Sequence, residues 1–236
     1  MLNKQRILAV VPARGGSKGI PLKNLHPILG RPMISYVGDI VRALSCIDRV
    51  VVSTDHEEIA RVAEAAGIPA PFRRPVEISG DRIADKDVLL HALQTMEQID
   101  GCIYDIVLML QPTSPLRRPE HVQQTLDMLR DGPWDAVWTL SETDPKNHPL
   151  KQLTVRDGLL NYYDPDGGGI VARQQLDPIY HRNGIAYAIT RKCLVEFDNI
   201  MGQCTGGLVL VGDFISIDTE WDVALVEFIL GRRAKD

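Results

Sequence analysis

The chain has 236 residues, of which 44% are hydrophobic and 24% charged, and this ordinary composition excludes a disordered, collagen-like or coiled-coil protein. Its length is compatible with one large domain. The 26 basic and 31 acidic residues give a net charge of −5, and neither sign forms a long block. The sequence therefore lacks the basic stripe that is typical of a nucleic-acid-binding protein.

Apolar spacing predicts strands and helices that alternate along most of the chain. The predicted strands are 7–11, 49–53, 106–110, 136–140, 185–189 and 208–211. The predicted helices are 33–44, 57–66, 85–99, 119–130, 191–197 and 219–230. This alternation predicts an α/β fold, a Rossmann-like and mostly parallel sheet with helices on both faces, in a single domain over residues 1–236.

The segment from about 141 to 180 interrupts the alternation. It is rich in Pro, Gly, Asp and Asn and includes the run Gly167-Gly168-Gly169. Irregular stretches of this length inside a domain are usually functional or disordered. We expect an insertion here, either a hairpin arm over the site or an interface element.

The N-terminal segment and the cysteines indicate the compartment. The first apolar run holds only about seven residues and ends at Pro12, which predicts a buried strand and not a signal peptide. No apolar stretch approaches the roughly 20 residues that cross a bilayer. Four scattered cysteines without a C-x-x-C pair are typical of reduced thiols. We expect a cytoplasmic protein with no membrane partner.

The loop after the first strand, Pro12-Ala13-Arg14-Gly15-Gly16-Ser17-Lys18-Gly19, carries the densest chemical signal. Its glycines let backbone N–H groups approach a polyanion, and two cations and a hydroxyl lie within five residues. Ligands of parallel sheets bind at such strand ends. The loop matches neither the Walker A nor the G-x-G-x-x-G pattern. It predicts a triphosphate cradle, with a flexible turn of solvated charges as the alternative.

The segment VVPARGGSKGIPLKNLHPILGRPMISY resembles the opening signature of the CMP-sialic acid synthetase (acylneuraminate cytidylyltransferase) family. The block Leu110-Gln111-Pro112-Thr113-Ser114-Pro115-Leu116-Arg117 agrees with the same family, and the similarity spans nearly the whole chain. The resemblance implies an enzyme that transfers CMP from CTP to the anomeric hydroxyl of a nine-carbon α-keto acid sugar and releases pyrophosphate.

The resemblance also implies roles for individual residues. Those assigned to the nucleotide are Arg14, Gly15, Gly16, Ser17, Lys18, Asn24 and Arg74. Gln111 is assigned to the acceptor. Further candidates are Lys151, Arg173 and Arg182 for the acceptor carboxylate and the phosphates, and Tyr187 for contact with the sugar. Those assigned to catalysis are Arg14, Lys18 and Asp218. A polar strand end is the alternative for Gln111, and a solvated surface position is the alternative for each of the other acceptor residues.

In the resembled family the inserted arm belongs to a dimer interface. The resemblance therefore implies a homodimer, and it raises the hypothesis that Lys151 and Arg173 serve the neighbouring subunit's site.

The expected metal site departs from the family pattern. Family members commonly carry D-x-D, but this chain has Ser216-Ile217-Asp218, so one of two carboxylates is a hydroxyl. Asp218 alone could hold Mg²⁺ or Mn²⁺, because Mg²⁺ keeps several waters and takes one or two carboxylates plus substrate phosphates. Asp213 and Asp55 are weaker substitutes for the second carboxylate. Asp218 also precedes a helix, so a role as its N-terminal cap is the alternative.

Two other functions stay open from the sequence. The related cytidylyltransferases for the eight-carbon acid Kdo usually carry Q-G-D-E-P where this chain has Gln111-Pro112-Thr113-Ser114-Pro115. A non-catalytic nucleotide-binding regulator is favoured only by Ser216. Within the leading interpretation, N-acetylneuraminate, its deaminated form, legionaminate and pseudaminate are all candidate acceptors.

Overall fold

Ten strands and six α-helices form the part of the chain that this computed structural model describes, residues 5–233. The strands are β1 (Ile7–Pro12), β2 (Pro27–Ile28), β3 (Arg31–Pro32), β4 (Arg49–Ser53), β5 (Ile106–Met109), β6 (Ala136–Glu142), β7 (Leu153–Arg156), β8 (Leu159–Tyr162), β9 (Tyr180–Thr190) and β10 (Thr205–Val209). The helices are α1 (Ser35–Arg42), α2 (Glu57–Ala65), α3 (Asp85–Asp100), α4 (Pro119–Asp131), α5 (Arg191–Val195) and α6 (Glu220–Arg233).

The main sheet has six strands in the order β10-β6-β9-β5-β1-β4. The neighbours β1 and β4, β1 and β5, and β6 and β10 are parallel. Strand β9 is antiparallel to both β5 and β6, because it returns from the inserted segment and not from a helix crossover. The predicted mostly parallel sheet is confirmed.

Strand β1 shows how the sheet is covered on both faces. Ile7, Ala9 and Val11 pack on the side of α1, α2 and α4, whereas Leu8 and Val10 pack on the side of α3 and α5. All five side chains are fully buried. Strands covered on both faces read as continuous apolar runs, which is why the sequence predicted β1 within one residue.

The last sheet strand begins earlier than predicted. Strand β10 covers 205–209, in register with β6 from Ala136 to Leu140, whereas the apolar pattern predicted 208–211. Gly206 and Gly207 lie inside the strand and carry no apolar side chain, so the apolar pattern of the sequence does not indicate the first half of β10. Backbone pairing with β6 therefore outweighed local propensity here.

The inserted segment contains a separate two-stranded hairpin. Strands β7 and β8 pair through the turn Asp157-Gly158, where both residues have positive φ, 51° and 80°. This is the geometry of a tight hairpin turn. The large apolar side chains exposed on and beside the hairpin are Leu153, Val155, Leu159, Leu160, Tyr162 and Tyr163. A hairpin arm is thus present, and its role in dimerisation stays a prediction.

Two sequence expectations concern the chain as a whole. Cys46, Cys102, Cys193 and Cys204 are free thiols, as predicted. Within residues 5–233, no helix has both the length and the apolar character needed to cross a bilayer.

Candidate active site

A cavity of about 630 Å³ opens at the carboxyl ends of β1 and β5. The parallel strands bring these ends to one edge of the sheet, which is where the sequence placed the ligand. The predicted residues that line the cavity are Arg14, Ser17, Lys18, Asn24, Arg74, Gln111 and Asp218. Segments up to about 200 residues apart in sequence therefore meet in one site.

The two cations of the glycine-rich loop share one carboxylate. Arg14 Nη1 lies 2.8 Å from Asp81 Oδ1, and Lys18 Nζ lies 2.6 Å from Asp81 Oδ2. The hydrogen bond from Lys18, with further help from Arg14, lowers the pKa of the Asp81 carboxyl. The two loop cations thus lie close together in the cavity, where they already bind one negatively charged group, the Asp81 carboxylate.

Three contacts fix the loop backbone. The Gly15 N–H donates to Asp55 Oδ1 at 2.9 Å, just beyond the end of β4. Asn24, which is buried, donates from Nδ2 to the Arg14 carbonyl at 3.0 Å. A Cβ on Gly19 would lie 2.5 Å from the Asp218 carbonyl oxygen, so only glycine permits this close approach. These contacts hold the loop close to Asp55, Asn24 and Asp218.

Arg74 is a buried cation with unsatisfied donors. Its side chain is 4% exposed, and its Nε and Nη2 atoms have no hydrogen-bond partner among the described residues. Its closest carboxylate, Asp55, lies 4.0 Å from Nη2. Desolvation lowers the pKa of the Arg74 guanidinium. Unsatisfied charged donors in a cavity wall are costly unless an anionic ligand pairs with them.

The region of Asp218 contains a lysine that the sequence analysis missed. Lys23 Nζ donates to Asp218 Oδ1 at 2.8 Å and to the Ile217 carbonyl at 2.9 Å. Ser216 Oγ, in the position of the absent carboxylate, donates to Thr113 Oγ1 at 3.3 Å. Lys23 lines the cavity and adds a third cation to Arg14 and Lys18.

Asp218 does not cap the following helix. Thr219 Oγ1 accepts from the Asp222 N–H at 3.3 Å, and the Asp222 carboxylate accepts from the Thr219 N–H at 2.8 Å. This reciprocal pair satisfies the first turn of α6. The capping alternative is therefore wrong, and the Asp218 side chain, 74% exposed, pairs with Lys23 in the cavity and not with the helix N-terminus.

The donors near Asp218 fit only a loosely held metal ion. No cluster of three or more His, Cys, Asp or Glu side chains is positioned to bind a metal within the described range. One exposed carboxylate suits Mg²⁺ that takes its other ligands from substrate phosphates and water. Neither weaker substitute, Asp213 or Asp55, lines the cavity.

Gln111 lines the same cavity, two residues after the end of β5. A Cβ on Gly184, whose φ is 72°, would lie 2.7 Å from Gln111 Oε1. The carboxamide therefore rests directly on the backbone of β9. Its amide group can both donate and accept hydrogen bonds, which suits a polyhydroxylated ligand.

Two predicted acceptor residues lie beside the cavity. Arg182 Nη1 is 3.6 Å from Asp85 Oδ2, and Asp85 lines the cavity. The Arg182 guanidinium also stacks 5.3 Å from the Trp138 ring centroid. Tyr187 is only 2% exposed, and its Oη accepts the Gly184 N–H at 2.9 Å. Burial raises the pKa of the Tyr187 phenol. Tyr187 can therefore affect the site only indirectly, through its hydrogen bond with Gly184.

The remaining predicted residues do not line this cavity. Gly15 and Gly16 belong to the loop, but their atoms are not part of the cavity wall. Lys151 is exposed, and Arg173 lines a separate depression together with Glu142 and His148. Within one chain, the structure does not bring Lys151 and Arg173 to the phosphate loop.

A Rossmann-like sheet with a cation-lined cavity at its strand ends is the architecture of a nucleotide-binding enzyme. Residues 8–199 match the family model described as cytidylyltransferase, so the chain belongs to the cytidylyltransferase family. It is a CTP-dependent nucleotidyltransferase. The family expectation that rested on the opening loop and the 110–117 block is confirmed.

Relatives and solved structures agree with this assignment. The chain is 33% identical over 229 residues to CMP-N,N'-diacetyllegionaminic acid synthase of Legionella pneumophila, covering 95% of this chain and 96% of that one. It is 31% identical over 224 residues to pseudaminic acid cytidylyltransferase of Campylobacter jejuni, covering 94% and 95%. Its fold resembles CMP:2-keto-3-deoxy-manno-octonic acid synthetase complexed with CTP, with a TM-score of 0.71, 20% identity, and coverage of 97% and 100%.

Proposed function

We propose that this chain transfers CMP from CTP to the anomeric hydroxyl of a nonulosonic acid, a nine-carbon acidic sugar of the sialic acid type. The observation that carries the proposal is the single cavity in which Arg14, Lys18 and the unsatisfied Arg74 face Gln111. Two relatives that span nearly the whole chain are named for legionaminic and pseudaminic acids, which are sugars of this class.

The chemistry balances as a substitution at phosphorus. The anomeric oxygen forms a bond to the α-phosphorus, the bond from that phosphorus to the β-bridging oxygen breaks, and pyrophosphate leaves with the electron pair. The hydroxyl proton passes to water. Catalysis of this kind depends on positioning and on neutralising the charge of the leaving group.

The nucleotide end of the cavity supplies that neutralisation. Arg14, Lys18 and the Ser17 hydroxyl bind the triphosphate. Gly15 and Gly16 shape the loop that carries these groups, and the Gly15 N–H anchors it to Asp55. Arg74 pairs its two unsatisfied donors with the nucleotide, and Asn24 keeps the loop backbone in place. A guanidinium is suited to this task because its planar fork binds two oxygens of an anion at once.

The acceptor end of the cavity binds the sugar. Gln111 offers its carboxamide to the hydroxyls, and Arg182, held beside Asp85, supplies positive charge for the acceptor carboxylate. Tyr187 supports this end by fixing the Gly184 backbone, which is an indirect contribution to the acceptor site. The order of the two ends follows the sheet, since β1 carries the phosphate loop and its neighbour β5 carries Gln111.

Asp218 would hold Mg²⁺ or Mn²⁺ together with substrate phosphates and water. A bound ion would supply positive charge that neutralises the phosphate oxygens. Lys23 pairs with Asp218 and also lines the cavity, so it contributes a positive charge beside the one carboxylate that is kept from the family pattern.

The protein acts as a homodimer of single-domain chains, and the segment 141–180 forms the interface. The exposed apolar side chains of the β7–β8 hairpin support this, because a second copy would remove them from water. In the dimer, Lys151 and Arg173 serve the partner's cavity. The free thiols and the use of CTP support a cytoplasmic location.

The test is pyrophosphate release from CTP and magnesium with each of five acids: N-acetylneuraminate, its deaminated form, legionaminate, pseudaminate and Kdo. We expect turnover with at least one nine-carbon acid, and loss of that turnover in Arg14→Ala. Turnover with Kdo alone would support the eight-carbon alternative. Binding of CTP without pyrophosphate release for any acid would support the regulator.

A further inference from the structure

Arg117 is a buried cation that hydrogen-bonds only to backbone carbonyls. It is 5% exposed, and its Nη2 atom donates to the Gln111 carbonyl at 2.6 Å and to the Gly184 carbonyl at 2.9 Å. Its Nε atom donates to the Ile185 carbonyl. No carboxylate between residues 5 and 233 forms an ion pair with it. Desolvation lowers the pKa of this guanidinium to about 9.

Burying an unpaired cation is costly, and an apolar side chain of the same volume would often stabilise a fold better. The cost is balanced here by three hydrogen bonds that join two segments far apart in sequence, the loop after β5 and the first half of β9. These are the two segments that meet at the acceptor end of the cavity. Arg117 therefore links the residues that shape the acceptor site.

The Gln111 side chain depends on the same junction. Its Oε1 rests on Gly184, where a Cβ would approach to 2.7 Å. Ser114 Oγ donates to the Asn183 carbonyl at 3.0 Å, and Asn183 Oδ1 accepts from Thr139 Oγ1 at 2.7 Å. Arg117 binds the Gln111 backbone carbonyl, and the Gln111 carboxamide packs against Gly184. Both ends of Gln111 are thus fixed by one small polar network.

We propose that Arg117 is a positioning residue for the acceptor sugar: by binding the carbonyls of Gln111 and Gly184 it sets the orientation in which the Gln111 carboxamide meets the sugar. This inference rests on the proposed function, because it assigns Gln111 to the acceptor. Small displacements of a positioning group weaken productive binding strongly. Arg117 itself touches neither substrate, since it lies behind Gln111 and does not line the cavity.

The test is a double-mutant cycle of Gln111→Ala and Arg117→Lys, read as KM for the acid, kcat and Kd for CTP. Lysine keeps the charge but lacks the planar fork that spans two segments. We expect each single variant to raise the acid KM about tenfold and to leave the CTP Kd within about twofold. The double variant should be no worse than Gln111→Ala, because Arg117 acts through Gln111.

Each other outcome has a definite meaning. Additive effects in the cycle, or a wild-type acid KM in Arg117→Lys, would overturn the proposal. A wild-type acid KM in Gln111→Ala would overturn it too and leave the proposed function intact. Arg117→Gln, which keeps a planar amide donor, serves as the second variant. If neither Arg117 variant binds CTP, Arg117 serves folding and the proposal fails. The absence of wild-type turnover with every acid is a failure of the proposed function itself.

Discussion

Asp81 Oδ1 lies 2.8 Å from Arg14 Nη1, so a protein carboxylate already holds the guanidinium that we propose for the phosphates of CTP. The second oxygen of Asp81 takes Lys18 in the same way. Because these pairs are partly exposed, each is worth little, and surface ion pairs rarely exceed about 1 kcal/mol. We therefore expect Asp81 to compete weakly with the triphosphate for these two cations.

We expect Asp81→Asn to lower the Kd for CTP by about two- to fivefold, as measured by calorimetry at low salt. The matched control is Glu77→Gln, in the same segment. The Glu77 carboxylate that it removes forms no ion pair in the described structure. Weaker CTP binding in Asp81→Asn would mean that Asp81 supports the nucleotide site instead of competing with it.

Arg14→Ala should reduce turnover far more than stability. Arg14 is at the surface of the cavity and its removal leaves no buried partner unpaired, whereas the proposed function uses its guanidinium to neutralise charge on the leaving group. We expect a loss of about 100-fold or more in kcat/KM. The melting temperature should stay close to that of wild type. Arg61→Ala, which removes an exposed guanidinium on α2, is the control and should keep full activity.

Arg74→Met should separate stability from binding. The free protein should melt at the same temperature as wild type or higher, because methionine removes a buried cation with unsatisfied donors. The rise in melting temperature caused by CTP should disappear. A variant that melts much lower but is still stabilised by CTP would show that Arg74 serves the core.

Ser216→Asp should restore the second carboxylate of the family pattern. Because Mg²⁺ binds carboxylate oxygens, we expect half-maximal pyrophosphate release at a lower magnesium concentration than in wild type. Ser216→Asn, of the same size and without charge, is the control. An unchanged or higher magnesium requirement in Ser216→Asp would place the ion elsewhere.

Mixing two inactive variants tests whether Lys151 acts in the partner's site. If it does, a heterodimer of Lys151→Ala and Arg14→Ala contains one intact site and one doubly altered site. Random exchange of subunits should then recover about a quarter of wild-type activity. No recovered activity in heterodimers that are verified by mass would place Lys151 in its own chain's site or outside any site.

The sequence predicted the features that depend on neighbouring residues. The buried strand β1, its glycine-rich loop and the helices α3 and α4 follow from local periodicity and end close to the predicted residues. Lys23 was missed because its partner, Asp218, lies 195 residues away in sequence. Only the folded sheet brings such residues together.

Other features required tertiary pairing. The antiparallel direction of β9 depends on its registers with β5 and β6, which local propensity does not encode. The sequence around Asp81 is typical of an ordinary loop. The proximity of the Asp81 carboxylate to Arg14 and Lys18 is visible only in the folded structure. Tyrosine is a residue type that often binds sugars, but the position of Tyr187 in β9 buries its side chain in the core.

A crystal structure with CTP would locate the triphosphate relative to the glycine-rich loop. We predict that the triphosphate binds within hydrogen-bond distance of Arg14, Lys18 and Arg74, with Asp81 moved off the two loop cations and the α-phosphate facing Gln111. A triphosphate bound away from the loop at 13–19, with the Asp81 ion pairs intact, would contradict the account.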